Sequence, residues 1–250
     1  MSRIPRHRKD VNCPCVFLLI QKEELCMLFF WFYVGCCCGS FLTVVATRTV
    51  QGTSFQTGRS HCQWCQRPLR WWELLPVLSF TCQRGRCRTC HQRLPWSLLI
   101  WEVTAGWCFW LSPPVNQTSC DWLLFLLSFQ LLSTFDSIYW GFPTWLLVFP
   151  SSLAFVISQK PLSLIIIYTL LYLLILMINR KGNWIGNGDL DLLWLLLLVF
   201  PLTAWCGIVL LASLFGLGWL LVMRKRALPF LPLLFDSTLL YLTGLVCFSA

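Results

Sequence analysis

The 250-residue sequence predicts an all-α polytopic membrane protein with about eight transmembrane helices and one cysteine-rich polar loop on the cytosolic side. Three observations lead there. Hydrophobic residues make up 57% of the chain and charged residues only 12%, where a soluble domain carries about 25% charged. Mean hydropathy is +0.68. The apolar residues come in long runs with the charges in the loops between them, so the net charge of +9 reads as membrane orientation rather than nucleic-acid binding. The 15 cysteines do not make a disulfide scaffold, because the chain is not a short secreted domain. Cys108, Cys206 and Cys247 lie inside apolar runs, where cysteine behaves as a small hydrophobe.

Residues 1–26 form an atypical extension that carries Arg3, Arg6, Arg8 and Lys9. Its apolar piece Val16–Ile20 is too short to span, and no small-residue cleavage site follows, so it is not a signal peptide. Met27 is expected to be the working start. Residues 27–47 form the first transmembrane helix, with Leu28–Ala46 long enough to cross a bilayer. The small residues from Gly35 through Ser40 allow close helix packing.

Residues 48–96 are the one long polar segment. Two cysteine pairs lie in it, Cys62-Gln63-Trp64-Cys65 and Cys87-Arg88-Thr89-Cys90. Two thiolate pairs on tight turns can meet to give a tetrahedral zinc site. The 21 residues between the pairs sit just outside the usual window of about 15 to 20. A disulfide pairing is the alternative, and it is disfavoured in a cytosolic loop. Cys82, His61 and His91 are close enough in sequence to exchange with one of the four ligands. Eight arginines and no lysine accompany the pairs. They read as a topology signal, with anionic lipid headgroups as the other partner they suit.

Residues 97–250 form the transmembrane domain, with apolar runs at about 97–112, 121–135, 143–158, 161–179, 189–203, 204–222 and 233–250. The region of Pro201 and Gly207 can join or break two of these runs. With the arginine-rich loop cytosolic, alternate crossings put Asp136, Arg180-Lys181 and Arg224-Lys225-Arg226 on the same side. The opposite loops hold only Lys160, and the Arg3 to Lys9 cluster is the one violation.

Asp136 and Asp189 therefore fall at the same membrane face, each at the end of a span. Ionisable groups at such a depth are costly and usually functional. Two facing carboxylates can share a proton, one acting as base on water and the other as acid. Asp189 also suits a plain helix N-cap, Asp191 is a third carboxylate nearby, and Glu102 lies inside a span, where bonding a neighbouring helix would be sufficient reason for it. No Ser-His-Asp, His-Glu-x-x-His or phosphate-loop pattern competes with the pair.

Several stretches resemble the type IV prepilin peptidases. Gly39-Ser40-Phe41-Leu42-Thr43-Val44-Val45 is similar to the Gly-Ser-Phe-Leu-Asn-Val-Val segment of that family. The stretch from Arg59 through Cys62, Leu69-Arg70-Trp71-Trp72-Glu73, Arg84-Gly85-Arg86-Cys87 and Cys90 resembles its cysteine loop. Glu102 and Gly106 fall where the family has Glu-Leu-Leu-Thr-Gly, and Asp136 through Phe142-Pro143 resembles its Asp-x-x-x-x-x-Ile-Pro-Asp. Gly186-Asn187-Gly188-Asp189 looks like its Gly-x-Gly-Asp, and Arg226 to Pro232 its last basic Pro-Phe segment. Thr43, Thr144 and Asp191 depart from the family's Asn, Asp and Lys. Asp191 thereby adds negative charge near Asp189.

The resemblance implies an aspartic endopeptidase of the bacterial inner membrane with Asp136 and Asp189 as its catalytic pair. Its substrates would be prepilin-like proteins of pili, pseudopili or competence systems, cut after a short basic leader at the cytosolic face. Some members also methylate the new N-terminal amine with S-adenosylmethionine, and no residue here is assigned to that cofactor. The rival readings are a non-enzymatic scaffold with a zinc loop and a proton-coupled transporter. The transporter would carry internal repeats, and the sequence shows none.

Overall fold

The computed structural model describes residues 14–54, 58–182, 185–223 and 228–249. Among these residues the helices are α1 (Pro14–Val50), α2 (Leu78–Cys82), α3 (Trp96–Leu111), α4 (Gln117–Tyr139), α5 (Val148–Ile157), α6 (Leu162–Gly182), α7 (Asn187–Val199), α8 (Leu202–Met223) and α9 (Phe230–Ser249). The described residues form no strand. Two isolated bridges, His61 with Pro68 and Arg86 with Arg93, lie in the cysteine loop. The basic cluster Arg3 to Lys9 and the residues Arg224-Lys225-Arg226 lie outside the described residues.

All eight apolar runs become helical, but they divide by length. The Leu25–Val50 part of α1, together with α4, α6, α8 and α9, is long and apolar enough to cross a membrane. The other three, α3, α5 and α7, are apolar but have only 16, 10 and 13 residues. Local chemistry shortens two of them. The run at 143–158 begins with a 3₁₀ turn, Thr144–Leu147, directly after Pro143. The run at 189–203 stops at Phe200, which is extended with φ −96° and ψ 149°. The following Pro201 disfavours the helical region in the residue before it. The boundary expected near residue 203 therefore moves to Pro201, and α8 starts at Leu202.

The helices α1 and α3 pack as a close antiparallel pair through glycine. A Cβ on Gly35 would lie 2.6 Å from the Ala105 carbonyl oxygen, and one on Gly39 would lie 2.5 Å from that of Trp101. From the other side, a Cβ on Gly106 would meet Cys36 Sγ at 2.8 Å. Such close approach lets dispersion hold two helices together where lipid removes the hydrophobic drive. The central core then gathers Phe125, Phe129 and Leu132 of α4, Leu192, Leu195 and Leu196 of α7, Ile208 of α8, and Leu234 and Phe235 of α9. By contrast, only 6% of the apolar window of α6 is buried, as suits a helix bordered by lipid.

Contacts sort the bundle into two ends. The C-termini of α1 and α4 meet where the Tyr139 hydroxyl donates to the Val50 carbonyl at 3.2 Å. The cysteine loop, Asp136, Arg180 and the N-termini of α7 and α9 share this end. At the far end Lys160 Nζ donates to the carbonyls of Phe200, at 2.6 Å, and Leu197. A lysine bonded to the last carbonyls of α7 satisfies groups that Pro201 leaves without helical donors. Lys160, between α5 and α6, is thus a cap for α7.

Candidate functional site

The cysteine loop consists of one small unit made twice, offset by 25 residues. In the first copy Cys62 N–H donates to the Arg67 carbonyl at 2.9 Å, Gln66 N–H to that of Cys62 at 2.9 Å, and Leu69 N–H to that of Ser60 at 2.8 Å. In the second, Cys87 donates to Gln92 at 2.9 Å, His91 to Cys87 at 2.9 Å, and Leu94 to Gly85 at 2.8 Å. Gln66 and His91 close the two turns with φ of 57° and 54°. These knuckles bring Cys62, Cys65, Cys87 and Cys90 together, with all four Sγ atoms within 4.8 Å of one another.

That cluster can hold a metal ion. Sulfurs bound to zinc at about 2.3 Å in a tetrahedron lie roughly 3.8 Å apart, and Cys62 and Cys90 Sγ stand 3.9 Å apart. All four cysteines of the cluster are free thiols. Backbone N–H groups of Cys90 and Thr89 pull the Cys87 thiol below its ordinary value against the effect of burial. Cys90 receives a similar bond from Gln92, but burial and the neighbouring sulfurs outweigh it and raise its thiol. One thiolate forms readily and the next is opposed, a conflict that a divalent cation removes. Cys82, His61 and His91 do not belong to the cluster.

An ion pair between partly exposed Arg67 and buried Glu73 braces the first knuckle. Arg67 donates to Glu73 Oε1 at 2.7 Å, and the Arg70 backbone N–H donates to Glu73 Oε2 at 2.8 Å. Burial pushes the Glu73 carboxyl up, but the Arg70 amide and the Arg67 guanidinium more than offset it and leave it lowered. Arg67 also bonds the Cys87 sulfur. Glu102 on α3 accepts from the Val77 N–H at 2.8 Å and from Ser40 on α1. It therefore ties loop, α1 and α3 together and takes no place beside the aspartates.

The two aspartates are assembled differently. Asp136 lies in the last turn of α4, whose end is set by Trp140 in the left-handed region at φ 59°. It is buried, with 8% exposure. Its carboxylate accepts from the Leu231 N–H in the first turn of α9, while Oδ2 has no hydrogen-bond partner among the described residues. The N-cap of α7 is Gly186, so Asp189 is not the cap and sits in the first turn instead. There it is half-buried and lies within electrostatic reach of Asp136.

Both glycines of Gly186-Asn187-Gly188-Asp189 have a steric reason. A Cβ on Gly186 would stand 3.0 Å from Asp189 Oδ2, and one on Gly188 would stand 2.8 Å from the Phe142 ring. The first leaves space for the carboxylate, and the second lets the segment after Asp136 close on α7. Asp191 turns away and accepts from the Tyr172 hydroxyl on α6.

Two further residues of this end carry no recognisable motif in the sequence. Asn179 is buried and donates to the Ile185 carbonyl at 2.7 Å and to Asn187 Oδ1 at 3.0 Å, and it accepts from the Ile185 N–H at 3.2 Å. It holds the turn that leads into Asp189. A lone asparagine at the end of an apolar run was the only signal available. Leu231 was hidden because it contributes a backbone N–H, to which its side-chain type gives no clue.

Residues 33–113 match the family described as Bacterial Peptidase A24 N-terminal domain. The chain is 38% identical over 80 residues to a prepilin leader peptidase/N-methyltransferase of Myxococcus xanthus, covering 32% of this chain and 24% of that protein. The resemblance to type IV prepilin peptidases holds. A protein of the same name from Bacillus subtilis is 34% identical over 83 residues, covering 33% of this chain and 34% of the relative. A third, from Vibrio cholerae, is 30% identical over 67 residues, covering 27% and 25%. The similarity thus spans about a quarter to a third of the length of these prepilin peptidases. The family match takes in α3, the cysteine loop and Glu102 and ends before Asp136. No solved structure matches.

Proposed function

We propose that this chain is a prepilin leader peptidase that hydrolyses its substrate with Asp136 and Asp189 as an aspartic pair. The observation that carries this reading is the convergence of two carboxylates 53 positions apart, each within its own motif, at one end of the bundle. One carboxylate takes a proton from water as its oxygen bonds to the scissile carbonyl carbon. The other protonates the departing amine as the C–N bond breaks. Burial of Asp136 and its bond from Leu231 hold one carboxylate in place, while half-exposed Asp189 is the one that water can reach.

The positive charge at this end favours a cytosolic orientation in the bacterial inner membrane. A prepilin with a basic leader would meet the pair there, and the aspartates rather than charge attraction would select the bond. Cys62, Cys65, Cys87 and Cys90 would hold zinc, which supplies folding energy to the loop. N-methylation of the product with S-adenosylmethionine belongs to the same proposal through the names of the relatives.

Co-expression with a prepilin and mass measurement of its N-terminus tests the reading. Wild type should release a shortened product, with one added methyl group if the second activity is present. A scaffold or a transporter would leave the prepilin uncut.

A further inference from the structure

Beside the second knuckle lies a groove of about 840 Å³, lined by Trp72, Ser79, Arg84, Arg86, Arg88 and His91 among others. Arg84, Arg86 and Arg88 are exposed and form no ion pair among the described residues. Glu73, which also borders the groove, is already committed to Arg67. Even with four thiolates around a divalent cation nearby, eight arginines against one acid leave residues 48–96 strongly positive. The groove therefore suits an anion with several oxygens, which arginine forks recognise well.

Its position in the fold selects the source of that anion. The loop is tied at both ends to membrane-spanning or apolar helices, α1 and α3. Val77, between the 3₁₀ turn Trp71–Leu74 and α2, bonds Glu102, which lies six residues into α3. That bond brings the turn and α2 alongside the first turns of an apolar helix, the level at which headgroups would surround α3 in a bilayer. Trp71, Leu74 and Leu78 are 72%, 46% and 51% exposed there. Tryptophan and leucine beside arginines at that depth are what the membrane interface favours.

We propose that this groove binds the phosphate of an anionic phospholipid of the surrounding bilayer. Arg84, Arg86 and Arg88 hold the headgroup, and Trp71, Leu74 and Leu78 enter the interface beside it. The loop then rests on the bilayer at the end of the bundle that carries Asp136 and Asp189.

The test uses the full-length protein in nanodiscs of phosphatidylcholine alone or of phosphatidylcholine with phosphatidylglycerol. Hydrogen exchange of residues 71–91 should slow only with phosphatidylglycerol. Native mass spectrometry should show phosphatidylglycerol adducts that fall by at least about tenfold in the Arg84→Gln/Arg86→Gln/Arg88→Gln variant. Equal protection in both lipids would overturn the proposal. So would unchanged adducts in the variant, or equal protection by inorganic phosphate in phosphatidylcholine discs, which would make this a free-anion site. Because these arginines flank Cys87, metal content is measured alongside. If the variant has lost its metal, Trp71→Ser/Leu78→Ser decides, and retention of full phosphatidylglycerol-dependent protection by that variant would sink the idea.

Discussion

Each knuckle of the cysteine loop is closed by hydrogen bonds between residues at most nine positions apart, whereas Asp136 and Asp189 are separated by 53 positions. The loop repeats one local plan twice and needs only that the two copies meet. The aspartates need α4, α7 and α9 to pack, a left-handed turn at Trp140, and two glycines to leave room. Local construction tolerates change in the bundle, and assembled construction does not. The two regions should therefore fail separately when perturbed.

The largest expected effect lies in the assembled region. Asp136→Asn or Asp189→Asn should lower prepilin processing by at least about 10²-fold, the scale of general acid–base catalysis, with the amount of membrane protein unchanged. The mass of a co-expressed prepilin reads this directly, and full processing by either variant removes that residue from the mechanism. In the local region, Cys62→Ser or Cys87→Ser should take bound zinc from about one per chain to nearly none. Exchange protection over residues 60–94 should fall with it while α4 and α9 keep theirs. Equal loss throughout the bundle would mean that the two regions are one unit.

Gly188→Val sharpens the comparison because it touches only the assembled side. Its Cβ would press on the Phe142 ring, at a cost of about 1–3 kcal/mol for overpacking. Processing should drop while metal content stays at the wild-type value, and metal loss would break the proposed independence.

Acid should act on the loop through Glu73. Its folded carboxyl is lowered, so the unfolded state binds the proton first. The stability it contributes is complete above the ordinary carboxylate range and is lost as pH falls through the lower folded value. Hydrogen exchange over the loop at stepped acidic pH should show this loss in wild type and a shallower dependence in Glu73→Gln. An identical profile in both would exclude the carboxyl. Smallest of all is Asp191→Asn, which keeps an oxygen to accept from Tyr172 but makes that acceptor neutral, at a cost of about 1 kcal/mol. Processing should stay within a few-fold of wild type, and an inactive variant would put Asp191 in the pair in place of Asp189.

Much was legible from residue type and order. Low charge and long apolar runs determined a helical membrane protein, because hydrocarbon leaves backbone groups no partners except those inside a helix. Paired cysteines at matching spacing determined the knuckles, since each turn closes with its own neighbours. Tertiary structure decided the rest. It divided eight apolar runs into five long helices and three short ones, with Pro201 ending α7 and Lys160 capping it. It also turned Asp191 to Tyr172 and Glu102 to Val77 and Ser40, leaving Asp189 with Asp136. Three acids within a few residues of a span end look alike in sequence. Only the packing of α4, α6, α7 and α9 determines which of them finds a donor and which faces another carboxylate, because those partners lie many positions away along the chain.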